Sequence, residues 1–435
     1  NETLNDDPRV WNTIGYKDSN NDYVYYNGTF DGKGYSISGL YYNNDETFAD
    51  QYIGLFGVIG EEGIVKNIDL ENTYFCGKYW VGGIAGLNKG TIEGCSSDAT
   101  IYVEEGKNTG GIAGESTGSI NECVNTGDVS GVQYIGGIVG QASGTVINCT
   151  NSGTIGYTDN YGSFMAGIVG NAVGELTITN CYNTGNVTGK SDMGGVAGIL
   201  GHTSTSSASV TISHCYNTGN ITGDYAVGGI VGLVEVGTVD IDDCYNTGKI
   251  SAKDGKKATY AGGIAGHIAT AESTIGDCHN IGTVEARRLV GGIIGGEGPV
   301  ITNCYYLAGC ASDSTTTQYG VGALNPGQTT ADTEATVAAT ADEFASGDIT
   351  WLLNHETDEG ELVWFQTIGT DAYPRFDGDI TVKPEGEVIR LAGANRYATA
   401  IMAADEMKAA LGGEKFDAII IASGNDFADA LAGSY

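Results

Sequence analysis

The chain has 435 residues, with 70 glycines, 5 prolines, 41% hydrophobic side chains and a formal net charge of −34. The glycines follow no Gly-X-Y period, which excludes collagen, and the apolar content is too high for a disordered glycine-rich linker. The negative field works against nucleic acid and anionic lipid as partners, and there is no run of about 18 apolar residues to span a membrane. The chain starts at Asn1 with no secretory signal in view and stops at Tyr435, and is expected to be a piece of something longer.

Residues 1–51 are expected to form an N-terminal cap and a first coil, and residues 52–310 a repeat array. A block of the form Val-Gly-Gly-Ile-Ala/Val-Gly begins at Val81, Thr109, Ile135, Met165, Met193, Val227, Ala261 and Val290. Between these lies a second block, Asn/Asp-Cys-Tyr-Asn-Thr-Gly, whose cysteines are Cys95, Cys123, Cys149, Cys181, Cys215, Cys244, Cys278 and Cys304. Around Cys215 one unit reads as three short extended segments: Val210–Tyr216, Asn220–Thr222 and Val227–Val231. Each is rich in β-branched residues and bounded by Gly, Asn or Asp, and none is long enough for a helix. Three strands per unit make one turn of a right-handed parallel β-helix, with turns stacked about 4.8 Å apart. The unit length varies because extra residues enter at fixed points, such as His202–Ser209 and Lys253–Lys257, as loops do on a constant coil.

Stacking puts like residues over like. Ile84, Ile112, Ile138, Ile168, Val196, Ile230, Ile264 and Ile293 are expected to form an aliphatic column in the core. Asn125, Asn151, Asn183, Asn217, Asn246 and Asn280 stand two residues after the cysteines, on the same strand face, and are expected to form an inward amide ladder. Tyr182, Tyr216, Tyr245 and Tyr305 fall between them and are expected to form an outward column, either a binding strip for sugar or protein or a surface for a neighbouring loop. The eight cysteines are expected to be stacked free thiols, with Cys304 and Cys310 the best candidates for a disulfide.

From about Tyr52 to Tyr306 these repeats resemble the GLUG motif family, and Tyr26-Asn27-Gly28-Thr29-Phe30-Asp31-Gly32-Lys33-Gly34 looks like the usual opening of such arrays. The resemblance implies a bacterial surface protein, adhesin-like, or the repeat region of a large secreted peptidase of the IgA1 type, where the repeats do not supply catalytic residues.

Residues 311–378 are expected to cap the array. Ser312–Thr340 reads as loop or extended cap; two short helices follow, the first N-capped by Thr340, and Trp364, Phe365, Tyr373 and Phe376 add aromatic bulk for the open end. Residues 379–387 read as a linker. Residues 388–435 alternate strand and helix, the start of a small α/β domain. Here Arg390-Leu391-Ala392-Gly393-Ala394-Asn395-Arg396-Tyr397 and Asn425-Asp426-Phe427-Ala428-Asp429-Ala430-Leu431 closely resemble the cell-wall-binding repeat type 2 family, with the module cut short. The resemblance implies a Gram-positive protein held non-covalently to an anionic cell-wall polymer, with Arg390, Asn395, Arg396, Asp426 and Asp429 as the residues that match its motif.

No catalytic constellation is visible. His355-Glu356 lacks the second histidine of a metallopeptidase, no Gly-x-Ser-x-Gly elbow occurs, and no Cys-x-x-Cys suggests zinc. His214 and His279 are expected at exposed strand positions. Asp240, Asp242 and Asp243 form an acidic run that is mainly solvated charge, with surface calcium as the alternative. The chain is thus expected to be a secreted, non-catalytic cell-surface protein, a stalk or adhesin, without a cofactor. Its partners are the wall polymer and a host or neighbour-cell glycan or protein. The alternative is a carbohydrate-active β-helix enzyme, a polysaccharide lyase or hydrolase, or the non-catalytic part of a secreted peptidase or cell-wall amidase.

Overall fold

A computed structural model describes residues 11–17, 20, 22–43, 51–157, 162–201, 208–253, 259–296, 298–312, 320–322, 335–355 and 362–377. The chain divides into two compact units, Asn1–Val382 and Lys383–Tyr435, and every described residue lies in the first. The expected α/β start and most of the two insertion loops therefore fall outside the described residues.

The first unit is a parallel β-solenoid of about nine turns. At about 4.8 Å per turn its shaft is roughly 40 Å long. The later turns hold five short strands each, not three, whereas the turn Ile64–Glu71, Tyr74–Gly82 and Ala85–Asn88 has three. One turn runs through Ala208–Ser213, Tyr216–Asn217, Ile221–Gly223, Ala226–Gly228 and Val231–Val234. Its partners one turn on are Gly237–Asp242, Tyr245–Asn246, Ile250–Ala252, Tyr260–Gly262 and Ala265–Ile268, all parallel and in constant register.

The extra strands come from corners that a pattern of β-branched residues does not show. The residue before each repeat cysteine has a left-handed backbone: Glu122, Asn148, Asn180, His214, Asp243, Asp277 and Asn303 have φ between 44° and 55°, and Gly94 has φ 59°. Asn and Asp tolerate that region best among residues with a side chain, which is why the motif opens with them. The second corner lies at the Gly-Gly pair. A Cβ on Gly229 would stand 2.1 Å from the Gly263 carbonyl oxygen and 2.5 Å from Cγ of Asn246. Glycine is required there because backbone and amide already fill the space.

Three of the continuous columns in the interior are those the repeat spacing predicts. The aliphatic column from Ile84 to Ile293 is fully buried throughout. Burying each such side chain contributes about 1.5–3 kcal/mol. The thiol column, Cys95 to Cys304, is equally buried, and all its members are free. The amide ladder is complete: Nδ2 of Asn125, Asn151, Asn183, Asn217 and Asn246 each donates to Oδ1 of the next asparagine at 2.7–2.8 Å. Each also donates to the carbonyl two residues on, as Asn217 does to Gly219 at 2.8 Å. From Asn151 onward each buried amide oxygen is thus satisfied by the asparagine of the preceding turn, while Oδ1 of Asn125, which opens the ladder, has no partner.

At the N-terminal end Trp11, Ile14, Tyr26 and Phe30 pack over the first turn, with Trp11 Nε1 donating to the Gly54 carbonyl at 3.0 Å. At the other end the stretch expected as loop or extended cap contains a strand, Thr336–Ala339, that pairs in parallel with Cys304–Leu307, and Val321 bridges to Ile294. The open edge of the array recruits these residues because its unpaired backbone groups need partners. Two helices follow, α1 (Ala341–Ser346) and α2 (Asp348–Leu353). Thr340 caps α1 in a reciprocal capping box with Glu343, and left-handed Gly347 (φ 94°) separates the helices. The cap lies against the side of the last turns: Phe344, Ile349, Leu353 and Trp364 cluster with Tyr245 and Tyr305.

Candidate functional site: a tyrosine ladder and the groove beside it

The side chains that follow the thiols point outward in one register: Tyr182, Tyr216, Tyr245, His279 and Tyr305. Parallel pairing holds neighbouring rings face to face. Centroids are 4.3 Å apart for Tyr182–Tyr216, 4.8 Å for Tyr216–Tyr245 and 5.1 Å for Tyr245–His279, with planes within 18°. Each aromatic contact adds about 0.5–1.5 kcal/mol to what area burial provides.

The cap covers one end of this ladder. Trp364 packs on Tyr245 and His279, Phe376 reaches from Tyr245 to Tyr216, and Tyr245, His279 and Tyr305 are buried. His279 is therefore not the exposed strand residue the sequence suggested. It is fully buried, and its Nε2 lies 2.9 Å from the Pro374 carbonyl oxygen, to which it must donate. Burial drives its pKa down to about 3, so the ring is neutral. His214 sits in a left-handed corner, half-exposed, with Nε2 3.8 Å from Asp243 Oδ2.

At the other end Tyr182 and Tyr216 stay half-buried and border a groove of about 330 Å³. Thr218 continues the solenoid wall, and Arg375, Phe376 and Asp377 form the facing wall. Arg375 is fixed. Its Nε and Nη2 donate to Asp377 at 2.7–2.9 Å, Nη1 reaches Asp371 at 3.4 Å, and its backbone exchanges two hydrogen bonds with Phe365. Burial pushes the Tyr182 hydroxyl up to about 12 and that of Tyr216 upward, so both remain un-ionised donors.

The acidic run is an anchor for the cap. Asp243 accepts from Trp364 Nε1 at 3.1 Å, and burial, with Asp242 and Asp277 beside it, raises its carboxyl to about 7. On the next turn Asp277 accepts from Asn303 and faces His355 Nε2 at 3.2 Å. Asp240 accepts from the Thr274 hydroxyl. Among the described residues no three His, Cys, Asp or Glu side chains converge on a metal-sized site. The expected Cys304–Cys310 disulfide is not formed: both thiols are free. Cys304 continues the thiol column, while Cys310 ends the amide ladder and accepts from Asn280 Nδ2 at 3.5 Å. Arg390, Asn395, Arg396, Asp426 and Asp429 lie outside the described residues.

The GLUG motif matches residues 131–156, and cell wall binding domain 2 (CWB2) matches residues 390–435. A GLUG motif within the solenoid is thus followed along the chain by a match to a cell wall binding domain. The chain is similar to a putative Gly-rich membrane protein of Evansella cellulosilytica, 39% identical over 74 residues, which is 16% of this chain and 8% of that protein. It is also similar to halomucin of Haloquadratum walsbyi, 34% identical over 94 residues, 22% of this chain and 1% of that protein. The matched stretch is thus under a tenth of either relative's length. No solved structure matches the chain. No helix among the described residues is long and apolar enough to cross a membrane.

Sequence reasoning found the tyrosine column but missed its partners. Arg375 and Asp377 sit in a stretch with no repeat, and only their nearness to Tyr373 and Phe376 hinted at a role.

Proposed function

We propose that the chain is the non-catalytic part of a secreted bacterial cell-surface protein. The solenoid acts as a stiff shaft with an adhesive side face, and the C-terminal module ties it non-covalently to an anionic cell-wall polymer. The match of residues 390–435 to a cell wall binding domain carries this reading. Rigidity supports it: backbone pairing, amide ladder and ring ladder repeat at every turn, so the shaft resists bending better than a linker of equal length. The clustered carboxylates that an enzyme on the helix face would use are instead engaged by Trp364, Asn303 and the cap histidine.

Arg390 and Arg396 are the groups proposed to meet the polymer, since guanidinium forks match its anionic oxygens. The test is sedimentation of the full chain with purified cell-wall sacculi, before and after acid extraction of the anionic polymer. Binding to intact sacculi that weakens with salt and on Arg396→Ala is expected. Equal binding to extracted sacculi, or none to either, would refute the anchor.

A further inference from the structure

We infer that the groove between the tyrosine ladder and the cap binds a neutral, hydroxyl-rich saccharide. The inference rests on the adhesive surface reading above and gives that face its ligand class.

Tyr182 is the terminal ring of the stack. The residue paired with it on the preceding turn is Thr150, so among the described residues no ring stacks on that face of Tyr182. An aromatic face at the rim of a groove suits the apolar C–H face of a sugar ring. The hydroxyls of Tyr182, Tyr216 and Thr218 add neutral donors and acceptors on the same wall. Opposite them, the Arg375–Asp377 fork offers donors and acceptors side by side, the pairing that vicinal hydroxyls need. Asp377 lines the groove and its side chain is 78% exposed, so its remaining lone pairs are open to solvent. The site is preformed, because ring stacking fixes one wall and the Arg375 fork the other. Little rotamer entropy is then lost on binding.

Charge selects against an acidic sugar. Arg375 is already paired with both Asp371 and Asp377, which leaves no free cation for a carboxylate or sulfate. A chain of net charge −34 repels such ligands further. The volume, about 330 Å³, is at the lower end of the roughly 300–1,000 Å³ range of small-ligand clefts and suits the end of a chain, one or two rings. A second groove of about 350 Å³ near the N-terminus, beside Tyr25, Glu61 and Lys89, is less suited. There the Lys89 ammonium lies over Tyr23 and Tyr25 at 5.5 and 5.0 Å and occupies the ring faces.

The test uses the full chain on an array of neutral and acidic oligosaccharides, followed by calorimetric titration of the best neutral binder. Tyr182→Ala and Asp377→Ala are each expected to weaken binding about tenfold or more. Tyr182→Phe, which keeps the ring, is expected to cost only a few-fold, and Lys89→Ala nothing. Asp377 is exposed, so its variant keeps the test valid if removal of Tyr182 disturbs folding. Binding of acidic glycans alone, a blank array, or neutral binding unchanged in the Asp377 variant overturns the inference. Wall sedimentation is read separately: retained wall binding with a blank array removes the saccharide site and leaves the anchor standing.

Discussion

Replacing Asn217 by alanine tests the amide ladder at its middle. Asn217 accepts from Asn183 at 2.7 Å and donates to Asn246 Oδ1 at 2.7 Å and the Gly219 carbonyl at 2.8 Å. The substitution removes all three bonds and strands Oδ1 of Asn246, a buried acceptor. Asn183 keeps its bond to the Gly185 carbonyl. At about 1 kcal/mol per lost bond and about 1–3 kcal/mol for a stranded buried group, the expected loss is about 4–6 kcal/mol. Asn125→Ala provides the internal control. Asn125 also donates twice, but its own Oδ1 is already without a partner, because the preceding turn carries Ser97 in place of asparagine. Its removal loses one bond fewer and deletes one orphan while creating another, and is expected to cost about 2–4 kcal/mol less. Ser97→Asn should do the reverse, giving the Asn125 oxygen a donor and raising stability by about 1 kcal/mol. The assay is urea unfolding followed by circular dichroism, read as a midpoint shift at constant slope. Equal costs for the Asn217 and Asn125 variants, or under about 1 kcal/mol for Asn217, would show that the ladder does not act as a cooperative network.

Three further outcomes follow from the interior. Gly229→Ala, with its new methyl carbon 2.1 Å from a backbone oxygen, is expected to cost about 3 kcal/mol or abolish folding, whereas Gly39→Ala, with φ 77° and nothing within 4 Å, should cost about 1–2 kcal/mol; matched thermal melts decide. All ten cysteines are buried and outside any disulfide, and burial pushes the thiols of Cys123, Cys181 and Cys278 upward, so the native chain should resist a thiol-exchange reagent while the denatured chain titrates ten groups without reductant. Fast native labelling or a deficit of thiols on denaturation would contradict the packing. Asp192 is buried with one oxygen unpaired, and burial, with Glu235 nearby, raises its carboxyl from 3.8 to about 7. A raised carboxyl pKa means that the charged form destabilises the fold above pH 7, and that this penalty fades as pH falls toward 4. Asp192→Asn should therefore stabilise by up to about 4 kcal/mol at pH 8 and by nothing near pH 4. A gain independent of pH would assign it to packing instead.

The interior of this protein was readable from the chain alone. A period of one turn brings each residue over its counterpart, and a buried asparagine, thiol or isoleucine is then best satisfied by its own kind, so the three columns follow from spacing and residue type. The capping box at Thr340 and Glu343 was equally local. What lies outside the columns was decided by tertiary structure. The number of strands per turn depends on left-handed corners at residues such as His214 and Asp243, and these stand within runs that otherwise read as continuous β. Thr336–Ala339 became a strand because an open sheet edge was waiting beside it, not through its own propensity. Six residues of spacing suggested that Cys304 and Cys310 meet, yet a strand register sends one to the thiol column and the other to the amide ladder. His279 is buried, and a groove opens beside Tyr182, only because the cap folds along the shaft, with Trp364 bonded to Asp243 across 121 residues. Contacts between a periodic segment and an aperiodic one leave no pattern in either, so their geometry exists only once the chain has closed on itself.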